Sequence, residues 1–514
     1  MEKRYFLFVL LLLIIPQITD GQDFTSNFTT INPGESLNDI VMKAASLTPS
    51  PQQLAWQRME FIAFVHFGIN TFTDKEWGDG TESPSIFDPV EFDAGQWVRT
   101  FRDAGMKMLI IVAKHHDGFC YWPSKYTDHS VKKSPWKKGK GDVVGDLVAA
   151  CHEYGLKVGI YLSPWDRHEK SYGDSPAYNK FFMNQLKELL TNYGEITEVW
   201  FDGACGEGPN GKKQEYDWSS YYQLIRELQP NALIFGMGPD IRWVGTETGY
   251  ARETEWSVVP VKVSNINKIA ANSRHPVDKI FITGDMTGED LGSDEKIANA
   301  QALLWYPAEA DVSIRPGWFY HENQNSQVKT PEQLVDIYFS SVGRNSVLLL
   351  NIPPDKRGLI RDEDISSLMG MRKILNQTFA KNIAGDALIS IMNPLSEKPY
   401  YIMTNTGLYW ISKNLSDTSI IMMDLPNIST FDVVMLQESM KDGQRIKKFR
   451  LEFWDGQHWI KFTEGTTIGY KRLLRFPPVT SKQIRLVIEA SRSAATLVTF
   501  NLYKLPSGVS FETK

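Results

Sequence analysis

Short apolar runs alternate with longer amphipathic stretches from about residue 61 to residue 354, and this pattern most restricts the folds open to the chain. The apolar runs have the length of buried strands, and the stretches between them have helical periodicity. Strands that alternate with helices build a parallel sheet, because each helix carries the chain back to the start of the next strand. The sequence therefore predicts an α/β fold.

Eight of the apolar runs are predicted strands, and most of the segments between them are predicted helices. The predicted strands are 61–70, 108–115, 157–164, 198–203, 232–237, 241–247, 279–285 and 346–352, and the predicted helices are 93–104, 142–154, 176–193, 218–228, 294–305 and 331–342. Eight strands with intervening helices predict a (β/α)8-like (TIM-type) barrel. No helix is predicted between the fifth and sixth strands, so an open doubly wound sheet is the alternative.

The pattern changes after Pro353 and Pro354. A predicted helix at 364–379 leads to segments that alternate at period two, namely 400–404, 450–453, 483–488 and 497–503. Such segments indicate a C-terminal all-β sandwich. We interpret the sandwich as a structural support, with sugar binding through Trp454 and Trp459 as the alternative.

The length of 514 residues also requires more than one domain, since single cores stop growing at roughly 250–300 residues. We therefore divide the chain into a signal peptide (1–21), a barrel (22–360), a helical linker (361–380) and a β-sandwich (381–514).

The formal net charge of −6 provides no basic field that would attract nucleic acid, so nucleic-acid binding is not expected.

The N-terminus has the features of a secretory signal: Met1-Glu2-Lys3-Arg4 precedes an apolar run over 5–15. A bilayer span needs about 20 apolar residues, so no stable membrane span is expected. A secreted or periplasmic location is expected instead. Sequons at Asn27, Asn376, Asn414 and Asn427 would permit N-glycosylation in a eukaryotic pathway. The chain has three cysteines, so it can form at most one internal disulfide.

A carboxylate closes one of the apolar strands, in Trp200-Phe201-Asp202-Gly203. Burying a polar group without a partner costs on the order of 2–7 kcal/mol, so Asp202 needs a role. Period two places Trp200 and Asp202 on one face of the strand, and an aromatic plate beside an ionised oxygen suits a sugar. A loop cap or an ion pair with a nearby Lys or Arg would equally hold this carboxylate.

Other polar groups close neighbouring strands, at the rim where barrel active sites lie. They are His66, the run Lys114-His115-His116-Asp117-Gly118-Phe119, and Tyr161. Each histidine taken singly is consistent with a structural role. Together with Asp202 they allow two functions, a metallohydrolase and a metal-free glycosidase. Adjacent strand residues point to opposite faces, so the pair His115 and His116 counts against the metal site unless a turn lies there.

A retaining glycosidase uses two carboxyl groups, one as nucleophile and one as acid. Asp202 is the candidate nucleophile. Glu247 ends the predicted strand 241–247 and is the candidate acid, although its spacing is equally consistent with an exposed loop carboxylate.

Several motifs in order are similar to one known family. His66-Phe67-Gly68, Lys114-His115-His116-Asp117-Gly118-Phe119, Ser163-Pro164-Trp165 and Trp200-Phe201-Asp202-Gly203 together resemble the α-L-fucosidases of glycoside hydrolase family 29, over about residues 56–357. The resemblance implies a retaining double displacement with Asp202 as nucleophile and with fucose contacts from His66, His115, His116, Tyr161 and Trp200. It implies no metal and no cofactor.

Two further stretches resemble the branch of that family that prefers α-1,3/4-linked fucose, Gly245–Tyr250 and Arg315–His321. This resemblance implies Glu247 as the acid/base, with Glu289 and Glu309 in reserve. Trp318 would lie against the fucose methyl group, and a buried core tryptophan is the alternative.

The expected function is a secreted exo-acting α-L-fucosidase with fucosylated oligosaccharides or glycoproteins as substrates. A non-catalytic fucose-binding protein on the same fold is the alternative.

Overall fold

The computed structural model describes residues 27–261, 288–392, 400–401, 410–411 and 419–509. The predicted signal peptide (1–21) and the predicted strand 279–285 lie outside these residues. Within them, no helix combines the length and the apolar surface that crossing a bilayer requires.

Eight parallel strands form the central sheet of the described residues. They are Phe61–Val65, Met108–Lys114, Lys157–Leu162, Glu198–Phe201, Leu233–Gly236, Arg242–Trp243, Ala308–Ser313 and Val347–Asn351. The first five are consecutive neighbours, Val347–Asn351 follows beside Phe61–Val65, and Ala308–Ser313 and Arg242–Trp243 complete the order. A bridge between Phe235 and Ile241 joins the two edges, so the predicted barrel is confirmed and the open sheet is wrong.

One barrel strand, Ala308–Ser313, escaped the sequence prediction. All six of its residues are buried, but it alternates small or apolar residues with Glu309, Asp311 and Ser313. A strand with two carboxylates does not read as an apolar run, which is why the pattern failed here. The predicted strand 241–247 is also shorter than expected, because pairing ends at Trp243 and a loop with Gly245 and Gly249 at positive φ follows.

Five of the six helices predicted for the barrel are present with nearly the expected bounds, and several of them show the expected end signals. The helices are Leu37–Ser46, Pro51–Gln57, Ile69–Thr73, Ala94–Ala104, Val143–Tyr154, Ser175–Asn192, Trp218–Leu228, Asp294–Ala298, Pro331–Ser341 and Asp362–Phe379, with short 3₁₀ turns at Pro84–Ile86, Val131–Lys133, Trp136–Gly139, Glu322–Gln327 and Met440–Asp442. Asp93 and Asp142 accept N-terminal backbone N–H groups, and Gly105 and Gly155 end two helices in the left-handed conformation.

The predicted helix 294–305 is half wrong. It ends at Ala298, and Ala302–Trp305 is a strand that pairs antiparallel with Phe28–Thr30 and with Val258–Val261. Tertiary pairing here overrides a helical pattern, since Leu303 and Trp305 are fully buried between that sheet and Leu37–Ser46.

The C-terminal region is all-β, as predicted. Its described strands are Leu388–Met392, Tyr400–Tyr401, Trp410–Ile411, Ser419–Gln437, Ile446–Trp454, Trp459–Gly465, Arg472–Ser491, Thr496–Leu497 and Thr499–Tyr503. The long strands Ser419–Gln437 and Arg472–Ser491 pair antiparallel and carry most of the sheet. Trp454 and Trp459 face each other across a hairpin with ring centroids 5.5 Å apart, both half-buried.

Polar contacts fasten this β region to the end of the barrel opposite the functional rim. Glu60, which precedes the first barrel strand, accepts hydrogen bonds from Tyr470 (3.1 Å) and Lys471 (2.5 Å). Arg475 pairs with Asp336 of a barrel helix.

None of the three cysteines forms a disulfide among the described residues. Cys120 and Cys151 are buried and Cys205 is half-buried. Burial raises the pKa of the Cys151 thiol to about 12 and that of Cys205 to about 11.

Candidate active site

The carboxyl ends of the first four barrel strands bring the predicted site residues together. His66 follows Phe61–Val65, His115 and His116 follow Met108–Lys114, Tyr161 lies near the end of Lys157–Leu162, and Asp202 follows Glu198–Phe201. The aromatic rings among them lie close together, with centroid separations of 5.5 Å between His66 and His115 and 6.1 Å between His66 and Tyr161.

Asp202 lies at the mouth of the barrel and is held by two donors. The Tyr161 hydroxyl donates to Oδ2 (2.9 Å) and the Ala204 backbone N–H donates to Oδ1 (2.7 Å). Each carboxylate oxygen therefore has one donor that fixes its position. One quarter of its side chain is exposed, so Asp202 is accessible to a ligand above the rim.

A turn places His115 and His116 on the same side. The His115 carbonyl accepts from the Gly118 N–H (3.1 Å), and the strand has an irregularity between Val112 and Lys114. The two rings lie 4.1 Å apart. The alternation that would have separated this pair therefore does not apply.

His116 presents a hydrogen-bond acceptor to the mouth. Its Nδ1 lies 2.7 Å from Ser163 Oγ, and that hydroxyl donates to the Trp165 carbonyl, so Nδ1 is the donor to Ser163. Burial lowers the pKa of His116, which leaves Nε2 with a lone pair 3.7 Å from Asp202 Oδ2. A ligand hydroxyl can donate to this nitrogen.

His66 has the same arrangement through a different partner. Asn351 donates through Nδ2 to Ser313 and to the Trp318 carbonyl, so its Oδ1 accepts from the His66 backbone N–H (3.1 Å) and from Nδ1 (2.9 Å). Burial lowers the pKa of His66 to about 4, and the pKa of His115 also lies well below its usual value. The three imidazoles are therefore neutral near pH 7 and act through hydrogen bonds rather than charge.

An aromatic stack forms the floor of the site. Trp200 stacks on Phe235 (4.4 Å between centroids) and on Tyr161 (5.1 Å), and its Nε1 donates to Glu309 Oε1 (2.9 Å). The indole is thus fixed by two ring contacts and at its polar edge.

Glu309 and Glu198 form a fully buried carboxyl pair beneath this floor. The Trp56 indole donates to Glu198 Oε2 (2.8 Å), while Glu198 Oε1 and Glu309 Oε2 have no other partner among the described residues. Burial raises the pKa of Glu198 to about 8, and burial with the neighbouring charge of Glu198 raises the pKa of Glu309 strongly. The pair is therefore protonated near pH 7, and Glu309 lies below Trp200 rather than at the mouth.

Glu247 lies in the loop after Arg242–Trp243 and is solvent-accessible. The Trp318 indole N–H donates to its Oε2 (3.3 Å). Partial burial raises the pKa of Glu247, and the negative charges of Asp202 and Glu76 add to this, while the Trp318 N–H opposes it. A carboxyl group with these neighbours is suited to hold a proton for transfer.

Trp318 is half-buried rather than part of the core. It packs on His66, with centroids 5.2 Å apart, and its indole edge reaches Glu247. The side chain thus combines packing against the barrel core with an accessible indole edge. Glu289, the other reserve carboxylate, is an exposed residue of the segment before Asp294–Ala298.

Four residues of the site were missed by the sequence reasoning: Glu76, Trp77, Asp311 and Asn351. Trp77 is 54% exposed and packs edge-on against His116 and Trp165 at the mouth. Asp311 accepts from Trp243 Nε1 (2.7 Å), and burial together with the charges of Glu247 and Asp202 raises its pKa to about 8. Its alternation with Glu309 on one strand is the signal that would have pointed to this face.

No three His, Cys, Asp or Glu side chains in the described part of the chain converge closely enough to ligate one metal ion. The histidine cluster instead offers hydrogen-bonding nitrogens and a carboxylate beside an aromatic floor. This arrangement suits a polyhydroxylated ligand with one apolar face.

Comparisons with known proteins agree with this chemistry. The family model described as alpha-L-fucosidase matches residues 49–378. "Alpha-L-fucosidase 1" of Arabidopsis thaliana is 42% identical over 466 residues, which cover 88% of this chain and 87% of that protein.

Solved structures give the same result. The crystal structure named "putative alpha-L-fucosidase" from Bacteroides ovatus ATCC 8483 is 48% identical, with a TM-score of 0.84 over 95% of this chain and 79% of that chain. A GH29 fucosidase from Ruminococcus gnavus in complex with fucose is 32% identical, with a TM-score of 0.76 over 91% of this chain and 96% of that chain.

The buried carboxyl pair predicts a pH dependence of stability that Glu309→Gln reduces. Both folded pKa values are raised, so the stabilisation is complete below the unfolded value of about 4.3 and is lost as pH rises through the folded values. Between pH 5 and pH 9, the free energy of unfolding of the unmodified protein should therefore fall by on the order of a few kcal/mol. In Glu309→Gln the fall should be smaller, because one ionisation is removed while the amide oxygen still accepts from Trp200.

Urea denaturation at both pH values measures this difference. Glu195→Gln neutralises an exposed carboxylate near the start of Glu198–Phe201 and should behave as the unmodified protein does. If the free energy of unfolding falls equally in Glu309→Gln and in the unmodified protein, the Glu198–Glu309 pair is not the source of the pH dependence.

Proposed function

The chain belongs to the α-L-fucosidases of glycoside hydrolase family 29, and from this we propose that it releases terminal α-linked L-fucose by a retaining double displacement. We propose Asp202 as the nucleophile and Glu247 as the acid/base. The proposed substrates are fucosylated oligosaccharides or glycoproteins, with the fucose in α-1,3 or α-1,4 linkage.

The contrast between the two carboxyl groups at the rim carries this proposal. Asp202 accepts one hydrogen bond at each carboxylate oxygen, from Tyr161 and from the Ala204 N–H, which holds the carboxylate in place for attack on carbon. Glu247 has a raised pKa and one longer hydrogen bond, as proton donation requires. Environments that separate two carboxyl groups in this way are typical of retaining glycosidases.

The reaction then takes two steps. An Asp202 oxygen attacks C1 of fucose while the bond from C1 to the glycosidic oxygen breaks, and Glu247 gives its proton to the leaving oxygen. Glu247, now ionised, takes a proton from water, and that water attacks C1 and displaces Asp202. Fucose leaves with the anomeric configuration it had in the substrate.

The remaining residues would bind and orient the sugar. Nε2 of His66 and Nε2 of His116 would accept from fucose hydroxyls, and Trp200 would lie under the ring. The half-buried Trp318 would cover the C6 methyl group, an apolar feature that suits an indole face.

The linkage preference rests on two segments. Gly245–Tyr250, which carries Glu247, and Arg315–His321, which carries Trp318, resemble the α-1,3/4-selective branch of the family. These two segments are in contact through the hydrogen bond between Trp318 and Glu247, so a single surface would recognise the leaving glycan.

Time-resolved proton NMR with an α-1,3/4-fucosylated trisaccharide tests mechanism and linkage together. α-Fucose should appear first and β-fucose only later, through mutarotation. Early β-fucose would contradict retention, and release from an α-1,2-linked substrate at the same rate would contradict the linkage preference.

Asp202→Ala should lower the rate of fucose release by on the order of 10³-fold or more, because the nucleophile is lost, while fucose binding persists. Its control is Glu207→Ala, which removes an exposed carboxylate from the same loop and should leave the rate unchanged. Fucose binding without any release by the unmodified protein would favour the non-catalytic alternative.

Glu247→Gln should separate substrates by their leaving groups. An aryl fucoside with an acidic phenol as leaving group needs little protonation, so the rate at which it transfers fucose to Asp202 should fall only slightly. The rate of fucose release from the trisaccharide should fall by on the order of 10²-fold or more. Burst kinetics on the aryl substrate measure this difference between substrates. The control is Glu207→Gln, which neutralises an exposed carboxylate outside both recognition segments. Equal losses on both substrates would reject Glu247 as the acid.

We further propose that residues 1–21 direct the chain to a secretory pathway and are removed. The sequons at Asn376 and Asn427 lie on exposed residues and would accept glycans in a eukaryotic host. N-terminal sequencing of the exported protein tests the proposal, and an intact Met1 on it would contradict it.

A further inference from the structure

His321 lies between two carboxylates at the rim. Its Nδ1 is 2.6 Å from Asp74 Oδ1, and its Nε2 is 2.6 Å from Glu76 Oε1. Carboxylates accept hydrogen bonds and do not donate them, so each ring nitrogen must carry a proton. The arrangement therefore requires the charged imidazolium.

Glu76 connects this imidazolium to the segment before it. Its Oε2 accepts from the Trp318 backbone N–H (2.9 Å), and its Oε1 accepts from the Phe319 backbone N–H (3.2 Å) as well as from His321. Three donors of segment 315–321 thus hold one side chain of the loop that follows Ile69–Thr73. Within the described part of the chain, these donors are the polar partners of the Glu76 carboxylate.

Both segments carry groups that face the mouth. Trp318 donates its indole N–H to Glu247, and its carbonyl is held by the same Asn351 that orients His66. Trp77 follows Glu76 directly and packs on His116 with centroids 5.6 Å apart. Movement of one segment against the other would therefore displace both walls of the site.

We propose that His321 is a positioning residue of the site: bridging Asp74 and Glu76 as an imidazolium, it fastens the 74–77 loop to segment 315–321 and fixes Trp318 against Glu247. It touches neither substrate nor the reacting atoms. This role rests on the proposed function, because Glu247 and Trp318 matter here only as acid/base and sugar contact.

The bridge that His321 forms between Asp74 and Glu76 is called the clamp below. The charges around His321 determine how the clamp responds to pH. Hydrogen bonds and charges from Asp74 and Glu76 raise the pKa of His321, against the effect of its partial burial. The nearest cations along the two segments are engaged elsewhere, Arg315 by Asp364 and Lys75 by Asp79 and Glu82. Since the pKa is raised, the clamp is complete below the usual value of about 6.5 and weakens as pH rises through the folded value.

Deprotonation leaves one nitrogen with a lone pair facing a carboxylate. The Asp74 side chain is 63% exposed and can turn to water, whereas Glu76 then carries a less compensated charge beside the site. Sugar binding should weaken, while the chemistry of a bound sugar should change little.

L-Fucose binding to the Glu247→Gln protein tests the proposal, because the acid/base then no longer titrates. Calorimetry from pH 5.5 to 8.5 should show the Kd for fucose rising about tenfold. The His321 midpoint is the one that disappears in His321→Gln, which separates it from any contribution of Asp311, whose pKa is raised to about 8. Adding His321→Gln should give the weaker Kd at every pH. Adding Asp74→Asn should leave the Kd at pH 5.5 unchanged and move the midpoint to lower pH, because one carboxylate no longer stabilises the imidazolium.

Asp79→Asn is the matched control, since it neutralises an exposed carboxylate of the same loop that pairs with Lys75 and not with His321. Its midpoint should equal that of the parent. An unmoved midpoint in Asp74→Asn, or an unchanged Kd in His321→Gln, would overturn the proposal. Failure of Glu247 as the acid appears separately, as equal losses on aryl and natural substrates, and leaves these binding curves intact.

The protonation of His321 has a readout independent of binding. In protein labelled with ¹³C at histidine Cε1, the His321 resonance is the one that disappears in His321→Gln. Its titration midpoint should lie above pH 6.5 in the unmodified protein and at a lower pH in Asp74→Asn. A midpoint at or below 6.5 in the unmodified protein would also overturn the proposal.

Discussion

Closure of the eight parallel strands is the constraint from which the site follows. Parallel strands all direct their carboxyl ends to one rim, so the residue after each strand faces the same space whatever its position in the chain. Residues as distant in sequence as His66 and Asn351 thereby become hydrogen-bond partners. The pairing of Phe235 with Ile241 brings the two edges of the sheet together, and with them Asp202 and the loop of Glu247.

Many of the buried ionisable groups below this rim are neutral. Burial lowers the pKa values of the three histidines and raises those of Glu198, Glu309 and Asp311, so these groups carry little charge near pH 7. Buried charge lies in ion pairs such as Lys114 with Asp166. Under the proposed mechanism, the neutral groups would contact the sugar while Asp202 supplies the nucleophilic oxygen.

The strand-end motifs allowed the rim from His66 to Asp202 to be predicted, since buried apolar runs followed by polar residues are a local signal. Ala308–Ser313 was not predictable in that way, because its carboxylates are stable inside the barrel only through Trp200, Trp243 and the protonated state of the pair. The helix predicted over 294–305 failed for a similar reason, as the pairing of Ala302–Trp305 with Phe28–Thr30 depends on residues more than 270 positions away. Glu76 and His321 acquire their roles only when two distant loops meet.

The chemistry of the cysteines bears on what holds the fold together. No disulfide closes a loop among the described residues, where apolar packing, hydrogen bonds and ion pairs such as Arg315 with Asp364 hold the architecture. Burial raises the pKa values of Cys151 and Cys205, so both thiols stay protonated. Because the thiolate is the form that oxidants attack, these two positions should be slow to oxidise.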